Sequence, residues 1–324
     1  MTRALAILLV CLAGVASACP DHASVPRSLG YLSPYQAGDP TKSRIDPVAQ
    51  AEMQVALKPV DDSLRALARL ADHLSDPAAQ ACLIRHLRHW ADADGLRDLT
   101  SQQARLTIGA RLAALAILVR RLRISGISES EMPEVLIWLK TLAKAQIEFW
   151  EHDAPARAKQ GNLAAWAALA IWVIGEETGN LSLKRKAVQM HASVLCSANP
   201  DGSLPVEMAR GRFALHYQLH ALAPLVTLQA YLNEVEAPRP CAETLKRVVD
   251  FALSDIKSGE QTWALTWYEQ SYFTGVEVLR PHELAWLEAY LTLDSAPDAR
   301  SVVESLRPLY NSKLGGNQTK LWNH

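Results

Sequence analysis

From about Val48 onward the chain places apolar residues three and four apart, and this spacing constrains its fold more than any other feature. Leu64, Leu67, Leu70 and Leu74 follow that rhythm, as do Leu112, Leu115, Leu118 and Leu122; Leu136, Leu139, Leu142, Ile147 and Trp150 continue it. Such spacing lines one face of a helix. Breaks at Asp76-Pro77, Gly126, Asp153 to Pro155, Gly179, Asn199 to Gly202, Pro238 to Pro240 and Pro281 divide the pattern into helices of ordinary length. No stretch alternates with period two for long enough to build a sheet. The periodicity therefore predicts an all-α chain of consecutive helical hairpins. It leaves a closed ring, a solenoid and a bundle equally open.

The residues before this pattern read differently. Arg3, the apolar run from Ala4 to Val15 and the small residues Ala16-Ser17-Ala18 form an export signal, and the run is too short to span a membrane. Acylation of Cys19 is the rival to plain cleavage, disfavoured because Ala16 stands where lipoprotein signals prefer Leu. Residues 1–18 are thus expected to be a signal peptide, 19–47 an arm rich in Pro, Ser, Gly and Asp that carries Tyr31 and Tyr35, and 48–324 one helical domain. Formal net charge is −1, so an acidic ligand would need cations gathered locally. No basic run points to nucleic acid. Cys19, Cys82, Cys196 and Cys241 lie beyond the signal; export permits disulfides, but spacing does not settle their connectivity.

The stretch from Gly161 to Pro224 carries the chemistry. Asn162 and Trp166 share one helical segment, and the turn Gly202-Ser203-Leu204-Pro205-Val206-Glu207 precedes Arg210 and Tyr217. On a helix, seven residues return to the same face with about 20° of drift, so Arg210 and Tyr217 are expected to point the same way. A phenol must drop about two to three units from its usual value near 10 to act as a base near neutral pH. A cation about 4 Å away contributes about 4 kcal/mol at an effective dielectric of about 20. Asn162 suits either a helix N-cap or the binding of a carboxylate. His216 and His220 are spaced to grip a metal, but no acidic or Cys partner accompanies them, and a structural role for each is the simpler reading. No Ser–His–Asp set and no phosphate-cradling Gly loop is present, and no cofactor is expected.

In this order the motifs resemble the alginate lyases of polysaccharide lyase family five, which show an Asn-His-x-x-Trp run, a Gly-x-Leu-Pro-x-Glu turn, and an Arg with Tyr seven residues on. Ala81-Cys82-Leu83 leading to Trp90-Ala91-Asp92-Ala93-Asp94, the run Ala285-Trp286-Leu287-Glu288-Ala289-Tyr290, Arg307-Pro308-Leu309 and Leu314-Gly315-Gly316 extend the resemblance over nearly the whole chain beyond the signal. It implies an incomplete α/α toroid, an N-terminal arm acting as a lid, and a Cys19–Cys82 bond; Cys196–Cys241 stays open. It also implies β-elimination on an anionic, uronate-containing exopolysaccharide, with Tyr217 as base and acid, Arg210 as its activator and Asn162 on the substrate carboxylate. Tyr35, Arg157, Trp166, Arg212, His220 and Trp263 are the candidate substrate-binding residues, and no metal is called for. A periplasmic or secreted location follows, with polysaccharide export machinery as a possible neighbour. One position departs from the family: Leu163 stands where it has its catalytic His. Leu neither donates a hydrogen bond nor carries charge. A different polymer, a substitute group (His220 being the nearest), or binding without cleavage would each accommodate that change.

Overall fold

The computed structural model describes residue 19 and residues 24–322, so the expected signal peptide lies outside the described residues. About 67% of the described residues are helical. The first helices are α1 (Pro47–Ala71), α2 (Pro77–Asp92), α3 (Gln102–Thr107), α4 (Gly109–Ile124), α5 (Pro133–Glu148), α6 (Asn162–Glu177) and α7 (Leu181–Leu195). After them come α8 (Pro205–Met208), α9 (Ala214–Glu234), α10 (Ala242–Asp255), α11 (Glu260–Thr266), α12 (Leu287–Tyr290), α13 (Pro297–Leu306) and α14 (Gln318–Trp322). Their starts follow local chemistry. The Asp46 carboxylate accepts from the Val48 and Ala49 N–H groups ahead of α1, and Asp76 and Asn180 serve α2 and α7 in the same way. Pro opens α1, α2, α5, α8 and α13, where its missing N–H costs nothing.

Consecutive helices pair as hairpins around α6, which packs on α4, α5, α7 and α9. From Ala164 to Gly175 every residue of α6 is buried, so this helix shows no polar face and acts as an internal post. Gly109 permits the contact between α4 and α6: a Cβ there would lie 2.7 Å from the Ala167 main-chain nitrogen. Strands are confined to two short pairs among the described residues, Ser28–Leu29 parallel to Asp98–Leu99 and Tyr310–Asn311 antiparallel to Gly316–Asn317. The all-α expectation therefore holds. No helix among the described residues is long and apolar enough to cross a membrane.

Cys19 is bonded to Cys82 on α2, and Cys196 to Cys241 across the α7 and α10 ends. Tyr31 is buried, with its hydroxyl 2.6 Å from Thr107 Oγ1. Further on, the arm folds back on itself: Gln36 N–H donates to Arg44 O, Asp46 N–H to Pro34 O, and Tyr35 bridges Ile45. Asp39 holds the tip by accepting from the Thr41, Ser43 and Arg44 N–H groups.

Two substitutions test this account. Replacing Cys196 and Cys241 by Ser should lower unfolding free energy by about 2–4 kcal/mol in denaturant titrations. Gly109→Val should destabilise by about 1–3 kcal/mol, because the α4–α6 approach leaves no room for a branched side chain.

Candidate active site

Arg210 and Tyr217 meet, but not as two residues of one helix. Arg210 lies in the turn after α8, Gly211 follows with φ +55°, and α9 begins only at Ala214. The turn folds the guanidinium back over the Tyr217 ring, with Cζ 3.6 Å from the ring centroid and 5.1 Å from that of Tyr35. This is a face-on cation–π contact to two phenols. The expectation of two helical turns on one face is thus corrected: the proximity comes from a sharp turn before the helix. The guanidinium is fixed from its other side, where Nε donates to Thr41 O at 3.0 Å and Nη2 to Lys42 O at 2.9 Å. The hydroxyls of Tyr35 and Tyr217 are hydrogen-bonded to each other. Burial, reinforced by the neighbouring Tyr217, pushes Tyr35 well above the usual phenol range, so it keeps its proton.

Asn162 is the first residue of α6, with Gly161 in the cap position, so the N-cap alternative falls away. It is 3% exposed. Its main-chain N–H donates to Glu207 Oε1 at 2.7 Å and its Nδ2 to Oε2 at 2.9 Å. Its Oδ1 lies 3.0 Å from His220 Nδ1. Glu207 is fully buried, and burial raises its carboxyl to about 7 against the pull of the two Asn162 bonds and of Arg210 and Arg157. His220 in turn stands in T-shaped contact with Tyr217, ring centroids 6.2 Å apart. Asn162, His220, Tyr217, Arg210 and Tyr35 therefore form one connected cluster.

Other candidates fall differently. Trp166 is only 2% exposed, and its indole N–H points at His220 Nδ1, 3.2 Å away. A ring enclosed in this way cannot stack on a sugar, so Trp166 supports His220 rather than binding substrate. Arg157 is exposed, yet near enough to act on both Lys42 and Glu207. Arg212 is exposed, and no described contact ties it to the cluster. Trp263 is 49% exposed and packs edge-on against Trp267, itself 78% exposed. Tyr268 connects this ridge to the cluster: a Cβ on Gly211 would lie 3.4 Å from its ring.

The sequence reading missed Glu207 as the residue that holds Asn162; an acid in an otherwise apolar turn, destined for burial, was the available signal. It also missed Lys313, whose ammonium burial lowers to about 8, with Arg111 adding to the effect. Lys313 and Arg111 both act on His220. Arg111 lines a cavity of about 370 Å³ with Lys58, Asp61 and Arg65, while a second cavity of about 480 Å³, between Arg97, Arg105 and Asp153, shares no residue with the cluster.

Comparison with known proteins gives the family and the fold. The alginate lyase family model matches residues 36–263. The chain belongs to the alginate lyase family. Among relatives of this family member, a polysaccharide lyase of Stenotrophomonas maltophilia (strain K279a) is 28% identical over 305 residues, covering 92% of this chain and 88% of that protein. An alginate lyase of Azotobacter chroococcum mcd 1 is 23% identical over 325 residues, covering 95% and 85%. In fold, the chain matches alginate lyase A1-III from Sphingomonas species A1 with a TM-score of 0.76 at 18% identity, over 94% of this chain and 86% of that one. A variant of alginate lyase A1-III complexed with a tetrasaccharide matches with a TM-score of 0.72 at 18% identity, over 95% and 89%. The α/α-barrel type of architecture, which periodicity alone left open, is thereby established.

Glu207 yields a pH test. Its folded value of about 7 stands above the 4.5 of an ordinary Glu. The stability associated with its bound proton is therefore complete below pH 4.5 and lost as pH rises to 7. Relative to Glu207→Gln, the parent chain should lose up to about 3 kcal/mol across that window and nothing further above it, as read from denaturant midpoints at each pH.

Proposed function

We propose that this chain cleaves a uronate-containing, alginate-like polysaccharide by β-elimination, with Tyr217 moving the protons. A base takes the proton from C5, the C5–H bonding pair forms the C4–C5 double bond, the C4–O pair leaves on the oxygen, and that oxygen takes up a proton. The C5 proton is a poor acid while the adjoining carboxylate is fully charged, so the site must offset that charge. The observation that carries the reading is the seating of Arg210 against Tyr217 with Tyr35 bonded to its hydroxyl. Arg210 sets positive charge beside the group that receives the proton. Tyr35, held neutral, is able to donate to the Tyr217 oxygen. Lys42, Arg157 and Lys313 add local cationic charge in a chain whose net charge is −1. The exposed ridge of Trp263, Trp267 and Tyr268 offers flat apolar faces to sugar rings beyond the reacting unit. The Asn162 amide, expected on the uronate acid, is instead buried and committed to Glu207 and His220, so it acts on the substrate only through His220. The signal-like N-terminus and the two disulfides suit a periplasmic or secreted protein, placed where it would meet polymer in transit through an export system.

Leu163 favours a second reading, a protein that binds a uronan and cuts it poorly or not at all. Incubating the purified chain with a panel of acidic polysaccharides and following the ultraviolet absorbance of unsaturated uronate separates the two. Cleavage of a uronan supports the lyase; binding without product supports the second reading. In the active chain, Tyr217→Phe should lower product formation at least ~100-fold. Polymer binding by calorimetry should stay within a few-fold of the parent, since one hydroxyl contributes little to a long contact. Trp267→Ala should instead weaken polymer binding roughly threefold to tenfold and leave the turnover rate nearly unchanged.

A further inference from the structure

His220 is held in an unusual way. Its Nδ1 faces an acceptor, Asn162 Oδ1 at 3.0 Å, and a donor, the Trp166 indole N–H at 3.2 Å. One ring nitrogen serves only one of these at a time. The ring is half-buried, and no described residue bonds its Nε2. The opposite nitrogen is therefore free of partners among the described residues and keeps some exposure on the half-buried side of the ring. Meanwhile position 163, the next residue of α6 after Asn162, carries a half-buried Leu packed on the core.

We propose that His220 supplies from α9 the imidazole that α6 lacks at Leu163, and that Glu207, acting through Asn162, decides which ring nitrogen carries its proton. The inference rests on the lyase reading for its first half only. With Glu207 ionised, the carboxylate accepts both Asn162 N–H groups. Asn162 then presents its oxygen to the ring, the proton sits on Nδ1, and Nε2 offers the groove a lone pair. With Glu207 protonated, its O–H donates to the Asn162 side-chain oxygen, and the amide turns its NH₂ toward the ring. Nδ1 then accepts, as the Trp166 N–H also requires, and Nε2–H points at the groove, where it can donate to a uronate carboxylate. No proton leaves the cluster except the one on Glu207; the other moves between the two nitrogens of one ring.

The remaining groups around the ring keep it neutral. Burial lowers His220 well below the usual imidazole range, and Lys313 from the C-terminal tail, His216 on α9, Arg210 from the turn and Arg111 on α4 all add to that effect. The carboxyl that titrates near neutrality is Glu207, raised by burial to about 7. The change in His220 is thus a change of tautomer, not of charge.

Two measurements test this on the full chain. In the first, histidine is ¹⁵N-labelled, and the His220 ring signals are assigned by their loss in His220→Gln. The parent should pass from Nε2–H to Nδ1–H as pH rises through neutrality. Glu207→Gln should stay Nε2–H throughout, because a Gln amide donates to Asn162 at every pH. A parent tautomer that does not change, or a Glu207→Gln chain that changes like the parent, overturns the coupling. In the second, His220→Ala should lower kcat roughly 100-fold on a cleaved uronan while KM moves little. Adding Leu163→His to that variant should recover at least about tenfold. A His220→Ala chain within about threefold of the parent kcat overturns the imidazole role while leaving the lyase reading intact. If the parent yields no unsaturated product from any uronan, the lyase reading and the imidazole role fail together, and the nitrogen signals still decide the coupling.

Discussion

Glu207 accepts one N–H from the main chain of Asn162 and one from its side chain, and these two bonds join α8 to the first residue of α6. The placement of the clustered side chains depends on this clamp. It sets the height at which Asn162 meets His220, and it fixes α8, from which Arg210 must turn back over Tyr217. A buried carboxylate with two donors is costly to leave incomplete. Removing either partner would therefore release the turn as well as the amide. Gly161 belongs to the same arrangement: a Cβ there would lie 3.2 Å from Glu207 Oε1 and 2.9 Å from Val206 Cγ1.

Much of the architecture was legible because helix faces write themselves into spacing. The Leu series of α1, α4 and α5 and the Pro and Gly breaks between helices appear in the structure where periodicity put them. Ring closure was not legible, because α6 is apolar all round and carries no face that names its neighbours. The Arg210–Tyr217 meeting was anticipated with the wrong geometry, since a seven-residue spacing says nothing of a turn that interrupts the helix at Gly211. The fate of Trp166 was equally hidden: exposure depends on what α9 lays over it, and no local signal records that. His220 was marked only as a nearby imidazole. Its bonds to Asn162 and Trp166 are long-range facts, 58 and 54 residues apart.

Charge follows the same division between whole and part. A chain of net charge −1 has no long-range pull on a polyanion. Lys42, Arg157, Arg210 and Lys313 are nevertheless close enough to influence one another or the cluster residues. Their mutual repulsion is accepted in the absence of substrate, and an acidic polymer would relieve it. Cations gathered in this way set a local positive potential that the net charge does not reveal.

Arg210 has five N–H donors in a flat fork. The arm's carbonyls at Thr41 and Lys42 take Nε–H and one Nη2–H, which together make up the side edge of that fork. While the arm is seated, an incoming carboxylate meets only the end of the guanidinium, formed by the two terminal nitrogens. To engage the side edge it must first detach the arm tip that Asp39 holds in shape. The direction from which an acid can approach Arg210 is therefore set by main-chain oxygens some 170 residues upstream, in a segment that carries Tyr35 with it. Seating the arm thus divides the fork, one edge to the main chain and the other left for an acid.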